Sequence, residues 1–213
     1  MIYLYSGHNC PFSHVIRIII SVKSMEVKIV DVVNSNHDII SLNSNNETPV
    51  LVDDVNKNDK RKKLILTDTM VIAEYLNERF PHPQIMPVQP INKARLRMCL
   101  LNYKDFFANI RELENILHHD AKSRTKNNIN KLKQKIMIVL EQLVETVDPN
   151  NKQFLAGSPM FTILDACFLP ILWRLNYYDL DLEIPVAMED YLDRQFKLQS
   201  FINSLTPTEK GMR

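Results

Sequence analysis

The chain opens on Ile2–Tyr5, a short apolar run of the kind a buried strand makes. Ser6-Gly7-His8-Asn9 is turn chemistry, and Pro11 suits the first position of a helix, where its missing N–H has no partner to lose. Val15, Ile16, Ile18, Ile19, Ile20 and Val22 carry that helix to about Ser24. Residues 27–33 are β-branched and alternate with charge, which predicts a second strand. A polar stretch over 34–46 leaves room for a short helix at His37–Leu42. Thr48-Pro49-Val50-Leu51-Val52 predicts a third strand with a proline at its start, where the ladder does not need an N–H. Residues 64–66 supply a fourth, with a charged loop over 54–63 closing a hairpin. Thr67 or Asp68 can cap the next helix, on which Val71, Ile72, Tyr75, Leu76 and Phe80 fall at helical spacing. The order is β-α-β-α-β-β-α. Its crossover helix makes the first two strands parallel, and its hairpin makes the last two antiparallel.

Pro81, Pro83, Pro87 and Pro90 then fall within ten residues, a density no helix or central strand survives. Beyond them the pattern is helical over 91 to about 118 and over 127–147. Residues 162–178 form the most apolar helix, which places Trp173 in the core. Shorter helices follow near 187–197 and 200–205, and no repeat or low-complexity tract is present. The expected organisation is an α/β domain over 1–80, a proline-rich joint over 81–90 and an all-helical domain over 91–213.

Composition narrows the function classes. With 213 residues, 45% of them hydrophobic, the chain can bury a sizeable core. A net charge of +1 argues neither for nor against nucleic acid. The N-terminus lacks the basic region and apolar run of a signal peptide, and no segment approaches the roughly 18 apolar residues of a membrane span. A cytoplasmic protein with no membrane partner is expected. Cys10, Cys99 and Cys167 are odd in number and widely spaced, so neither a disulfide framework nor a CxxC pair is expected. The three glycines, Gly7, Gly157 and Gly211, do not cluster, which removes phosphate-cradling loops.

The element order, with a proline opening its third strand and an all-helical half behind it, resembles the glutathione-transferase superfamily. That resemblance implies a thioredoxin-like N-terminal domain followed by a glutathione-transferase-like helical domain. It also implies a cis bond before Pro49. Thr162-Ile-Leu-Asp165 matches the capping box of the superfamily's buried helix, with Asp in place of the commoner Glu. Glu74-Tyr-Leu-Asn-Glu-Arg-Phe-Pro-His-Pro-Gln-Ile-Met-Pro-Val-Gln-Pro90 is similar to the signature of the stringent starvation protein A family, the RNA-polymerase-associated branch of that superfamily. Tyr5-Ser-Gly, Ser13-His14 with Arg17, Leu169-Pro-Ile-Leu-Trp-Arg174 and Ser204-Leu-Thr-Pro also fit it. The resemblance implies a non-enzymatic transcription regulator that binds RNA polymerase through its primary sigma factor and reaches promoter DNA only indirectly. The protein-binding surface would comprise Phe80, Pro81, His82, Pro83 and Met86. It further implies a homodimer, or a heterodimer with a paralogue, and no cofactor beyond guanosine tetraphosphate at a dimer interface.

Four local features carry candidate chemistry. Cys10 sits at the start of the first helix, where the helix N-terminus favours a thiolate; the alternative function is a Cys10-dependent glutathione transferase or thiol reductase. With Thr48, Pro49, Asp68 and Thr69 it would make up a vestigial glutathione site, in which the Thr69 methyl obstructs the ligand. Pro81 and Pro83 are expected to hold their segment extended, with little conformational entropy left to lose on docking, and His82 offers both a donor and an acceptor. Lys57, Lys60, Arg61, Lys62 and Lys63 in the 54–63 loop form a solvated charged face, or else meet an acidic protein surface or an anionic ligand. His118-His119-Asp120 is not a metal site, because adjacent helical residues point about 100° apart. His14 lies four residues from Cys10, a spacing that permits contact, but no further ligand is apparent.

Overall fold

The computed structural model describes residues 1–32, 37–54, 63–118, 125–145, 147 and 154–213. Four strands, β1 (Ile2–Ser6), β2 (Lys28–Asp31), β3 (Val50–Asp54) and β4 (Lys63–Leu66), form one sheet in the order β2-β1-β3-β4. β1 runs parallel to β2 and antiparallel to β3, with Leu4 opposite Ile29 on one side and Leu51 on the other. β3 and β4 close the antiparallel hairpin. Helix α1 (Pro11–Val22) is the crossover; α2 (His37–Leu42) and α3 (Thr69–Arg79) complete this half. β2 is shorter than the 27–33 pattern predicts, and an edge strand mostly exposed to solvent has less to bury. Val33, the loop from 55 to 62 and His119-Asp120 lie outside the described residues.

The helical half comprises α4 (Pro90–Asn102), α5 (Lys104–His118), α6 (Lys126–Glu145), α7 (Ile163–Trp173), α8 (Leu175–Tyr178), α9 (Val186–Phe196) and α10 (Gln199–Ser204). Two single predicted helices are broken here. At Tyr103 and at Arg174 the backbone N–H bonds the carbonyl three residues back, at 3.2 and 2.9 Å, and the α-helical register ends. α1 and α7 are buried along nearly their whole lengths because each packs against the other, and α1 also meets α3 and α10. One apolar cluster therefore runs from Leu4, Ile16 and Ile19 through to Leu164 and Phe168 in the helical half. Phe106 stacks on Phe168 at 5.1 Å, and Trp173 packs edge-on to Phe196 at 5.0 Å.

A buried polar cluster fastens the two halves. Glu209, in the terminal 3-10 turn Glu209–Gly211, is fully buried. Its carboxylate accepts from Arg17 of α1 at 2.5 and 2.6 Å, and also from Arg174. Arg17 donates further to the Ser204 carbonyl at 2.8 Å and to the Ser6 hydroxyl. Arg174 also donates to the Pro170 carbonyl at 2.7 Å and to His14 Nδ1 at 3.1 Å. A guanidinium can only donate, so His14 Nδ1 must accept, and His14 must carry its proton on Nε2. Nε2–H then donates to the Ser204 hydroxyl at 2.9 Å, which in turn donates to the Phe201 carbonyl at 2.6 Å. His14 is thus fixed as a neutral ring. Burial, then the charges of Arg174 and Arg17, hold its pKa well below the ordinary histidine value.

That neutrality sets a pH dependence. The unfolded chain binds a proton at position 14 near pH ~6.5, while the folded chain resists it, so the contribution is fully present above that pH and lost as pH falls. We expect unfolding monitored by the single tryptophan, Trp173, to show stability falling below about pH 6.5, by up to about 1.4 kcal/mol per pH unit from this site. His14→Gln keeps an acceptor and a donor but cannot titrate, so its stability should fall less steeply over the same range.

Candidate functional site

α3 must end before Pro81, because a proline disfavours the helical conformation in the residue ahead of it. Phe80 caps the helix with its N–H on the Leu76 carbonyl. The chain then leaves through a run of bends in which the Thr48–Pro49 bond has a counterpart: both Thr48–Pro49 and His82–Pro83 are cis. The cis bond expected before Pro49 is present. The extended segment expected at Pro81–Pro83 is not; the segment turns.

This turn is held from three sides. Lys23, the residue that ends α1, is only 6% exposed, and its ammonium donates to the Phe80 carbonyl at 2.7 Å and to the Pro83 carbonyl at 2.6 Å. Burial lowers its pKa from the usual lysine value. Asn77 of α3 accepts the Ile85 N–H at 3.0 Å, and the Ile85 carbonyl accepts the Ile163 N–H of α7 at 2.9 Å. The start of α7 is itself fixed by the expected capping box of Thr162 and Asp165. Asp165 accepts the Thr162 N–H at 2.8 Å, and its other oxygen takes the Leu155 N–H and the Tyr191 hydroxyl, each at 2.9 Å. Burial raises the Asp165 pKa against the pull of these bonds.

Pro81, His82 and Pro83 are exposed and Phe80 is half-buried. Met86 is 2% exposed and belongs to the core. Its place in the expected binding surface is therefore corrected: the contiguous motif alternates between solvent and interior, and Ile85 and Met86 turn inward, Ile85 onto α7 and Met86 between α3 and α4. Lys23 and Asn77 were missed. Asn77 had a signal, since it falls on the buried face of α3 with Ile72, Ala73 and Leu76. Lys23 had none that separates it from any cation ending a helix.

A second feature lies at the other end of α1. Cys10 is the N-cap residue, half-buried, with its thiol 3.5 Å from the Thr48 carbonyl. The approach is close because position 7 is glycine; a Cβ there would stand 2.8 Å from Thr48 Oγ1 and 2.9 Å from Cys10 Cβ. Cys10 and Thr48 line a cleft of about 340 Å³ with Glu47, Arg111, Glu114 and His118. Arg111 pairs with Glu47 at 3.1 Å and lies 4.2 Å over the Phe12 ring. Asp68 and Thr69 line a separate cleft of about 620 Å³, whose wall shares Phe12 and Arg111 with the first. Asp68 is occupied as the N-cap of α3, accepting from Met70 and Val71 at 2.9 and 3.0 Å. His14 turns away from Cys10 into the buried cluster, and His118 meets the Tyr177 hydroxyl at 3.0 Å. Among the described residues, no group of three or more His, Cys, Asp or Glu side chains converges on a metal position.

Residues 9–79 match the family model of the glutathione S-transferase N-terminal domain. A stringent starvation protein A homolog of Coxiella burnetii is 32% identical over 218 residues, covering 99% of this chain and 94% of its own length. The chain belongs to the stringent starvation protein A family. Glutathione S-transferase omega-2 of Rattus norvegicus is more distant, at 24% identity over 84% of this chain and 68% of its own. A solved glutathione S-transferase from Rhodospirillum rubrum shares the fold at a TM-score of 0.77 and 20% identity, covering 100% of this chain and 96% of that one. Residues 74–90, the stretch whose sequence resembles that family's signature, span the end of α3 and the pinned turn.

Proposed function

We propose that this protein is a non-enzymatic transcription regulator that docks on RNA polymerase through the primary sigma factor, using the turn at Pro81–Pro83. The observation that carries this reading is the combination of exposure and anchorage. Three solvent-facing residues sit on a backbone whose carbonyls and N–H are tied to α1, α3 and α7. A surface already held in shape loses little entropy on binding. The signature of the stringent starvation protein A family falls on the same residues.

Dimerisation is part of the proposal. Ile91, Ala94, Met98 and Leu101 recur at three- and four-residue intervals and share one exposed face of α4, and Val71 of α3 is exposed as well. A bidentate Arg97–Glu74 pair, 2.9 Å on each arm, joins α4 to α3. A second copy or a paralogue would seat on these helices, and guanosine tetraphosphate would belong to the joint surface of such a heterodimer.

In a polymerase pull-down, His82→Ala with Pro83→Ala should abolish retention of the holoenzyme, whereas Cys10→Ser should retain it. Full retention by the turn variant would contradict docking. Loss in Cys10→Ser, together with thiol-transfer activity that disappears in the same variant, would favour the glutathione-linked alternative. For assembly, Val71→Asp with Leu101→Asp should shift sedimentation from dimer to monomer while Trp173 fluorescence stays native. An unchanged sedimentation coefficient would place the interface elsewhere.

A further inference from the structure

We propose that Lys23 is the positioning residue of the docking turn, setting the shape in which Pro81, His82 and Pro83 are offered to a partner; the proposal rests on the docking reading above. Lys23 does not face the partner. It is buried at the end of α1, and both of its hydrogen bonds go to backbone carbonyls, Phe80 on the near side of the turn and Pro83 on the far side. One ammonium therefore bridges the two ends of the Pro81-His82 segment. Lysine suits this task because its compact ammonium carries three donors, which can satisfy two carbonyls that point to a common centre. Charge-assisted hydrogen bonds of this kind are stronger than neutral ones. Proline at 81 and 83 removes two backbone N–H groups from the turn, so few bonds of its own remain to fix it.

The remaining anchors act further along. Asn77 and Ile163 hold Ile85, beyond the exposed residues. Without Lys23 the segment 80–83 would lose its anchor to α1, while the apolar packing of Ile85 and Met86 would persist. The consequence is an affinity effect through preorganisation, since the partner must then order the turn on binding.

Two measurements test this. Backbone order parameters in Lys23→Met should fall at Phe80, His82 and Gln84 while Ile85, held by Asn77, keeps its order; the global unfolding midpoint by Trp173 fluorescence should change little, and Lys23→Arg should restore most of the order. Retention of polymerase holoenzyme carrying its primary sigma factor should weaken at least about tenfold in Lys23→Met. If Lys23 works through the turn, adding His82→Ala to Lys23→Met should weaken binding no more than the larger single change. Unchanged order parameters over 80–84 would overturn the positioning role even if docking stands. Lowered order with full binding, or additive losses in the double variant, would separate Lys23 from recognition. Full binding by His82→Ala alone would remove the docking reading and this proposal with it.

Discussion

Glu209 between Arg17 and Arg174 is the contact on which the arrangement of this molecule depends. A carboxylate from the turn at Glu209–Gly211 is shared between one guanidinium from the first helix and one from the end of α7, all three out of solvent. Burying such ions is costly, and their mutual attraction offsets that cost only when the remaining donors are also satisfied. Here most of the surplus N–H groups go to the Ser204, Pro170 and Gly7 carbonyls, the Ser6 hydroxyl and His14 Nδ1, and Arg174 Nε is left buried without a partner. Removing one partner from such a set typically costs about 3–5 kcal/mol, because the partner left behind is uncompensated. The cluster thereby fixes α1 against α7 and α10, and it forces His14 to be neutral.

Both candidate sites lie at the ends of α1. Its N-cap is Cys10, at the cleft beside Pro49; its C-cap is Lys23, under the turn at Pro81–Pro83. The two ends present different chemistry. At the first, a half-buried thiol faces a cleft in which Arg111 is already paired, and the Asp68-Thr69 pair lines a different cavity. At the second, exposed side chains stand on a backbone tied to three elements. A rigid exposed surface suits recognition of a protein, and it needs no reactive group.

Local signals in the sequence were enough to place the strands, the first three helices, the proline opening β3 and the Thr162–Asp165 cap, because each depends on neighbours within a few residues. The end of α3 ahead of Pro81 was legible for the same reason, whereas the reading of Pro81–Pro83 as a docking surface came from the family resemblance. The fastening was not legible. Arg17 and Glu209 are 192 residues apart, and Lys23 and Pro83 are 60 apart. Neither pairing leaves a trace in hydrophobic period. Met86 was misplaced because a motif continuous in sequence was taken as continuous on the surface. The breaks at Tyr103 and Arg174 escaped because apolar residues continue on both sides of each, and only the backbone bonding changes.

The central claim is that the turn at position 82 is the face that meets the polymerase, and site-specific photo-crosslinking tests it most directly. A photo-reactive amino acid at position 82 should join the protein to the primary sigma factor in the holoenzyme, while the same group at position 138, an exposed site on α6, should not. Crosslinks to polymerase from position 138 with none from position 82 would contradict the account.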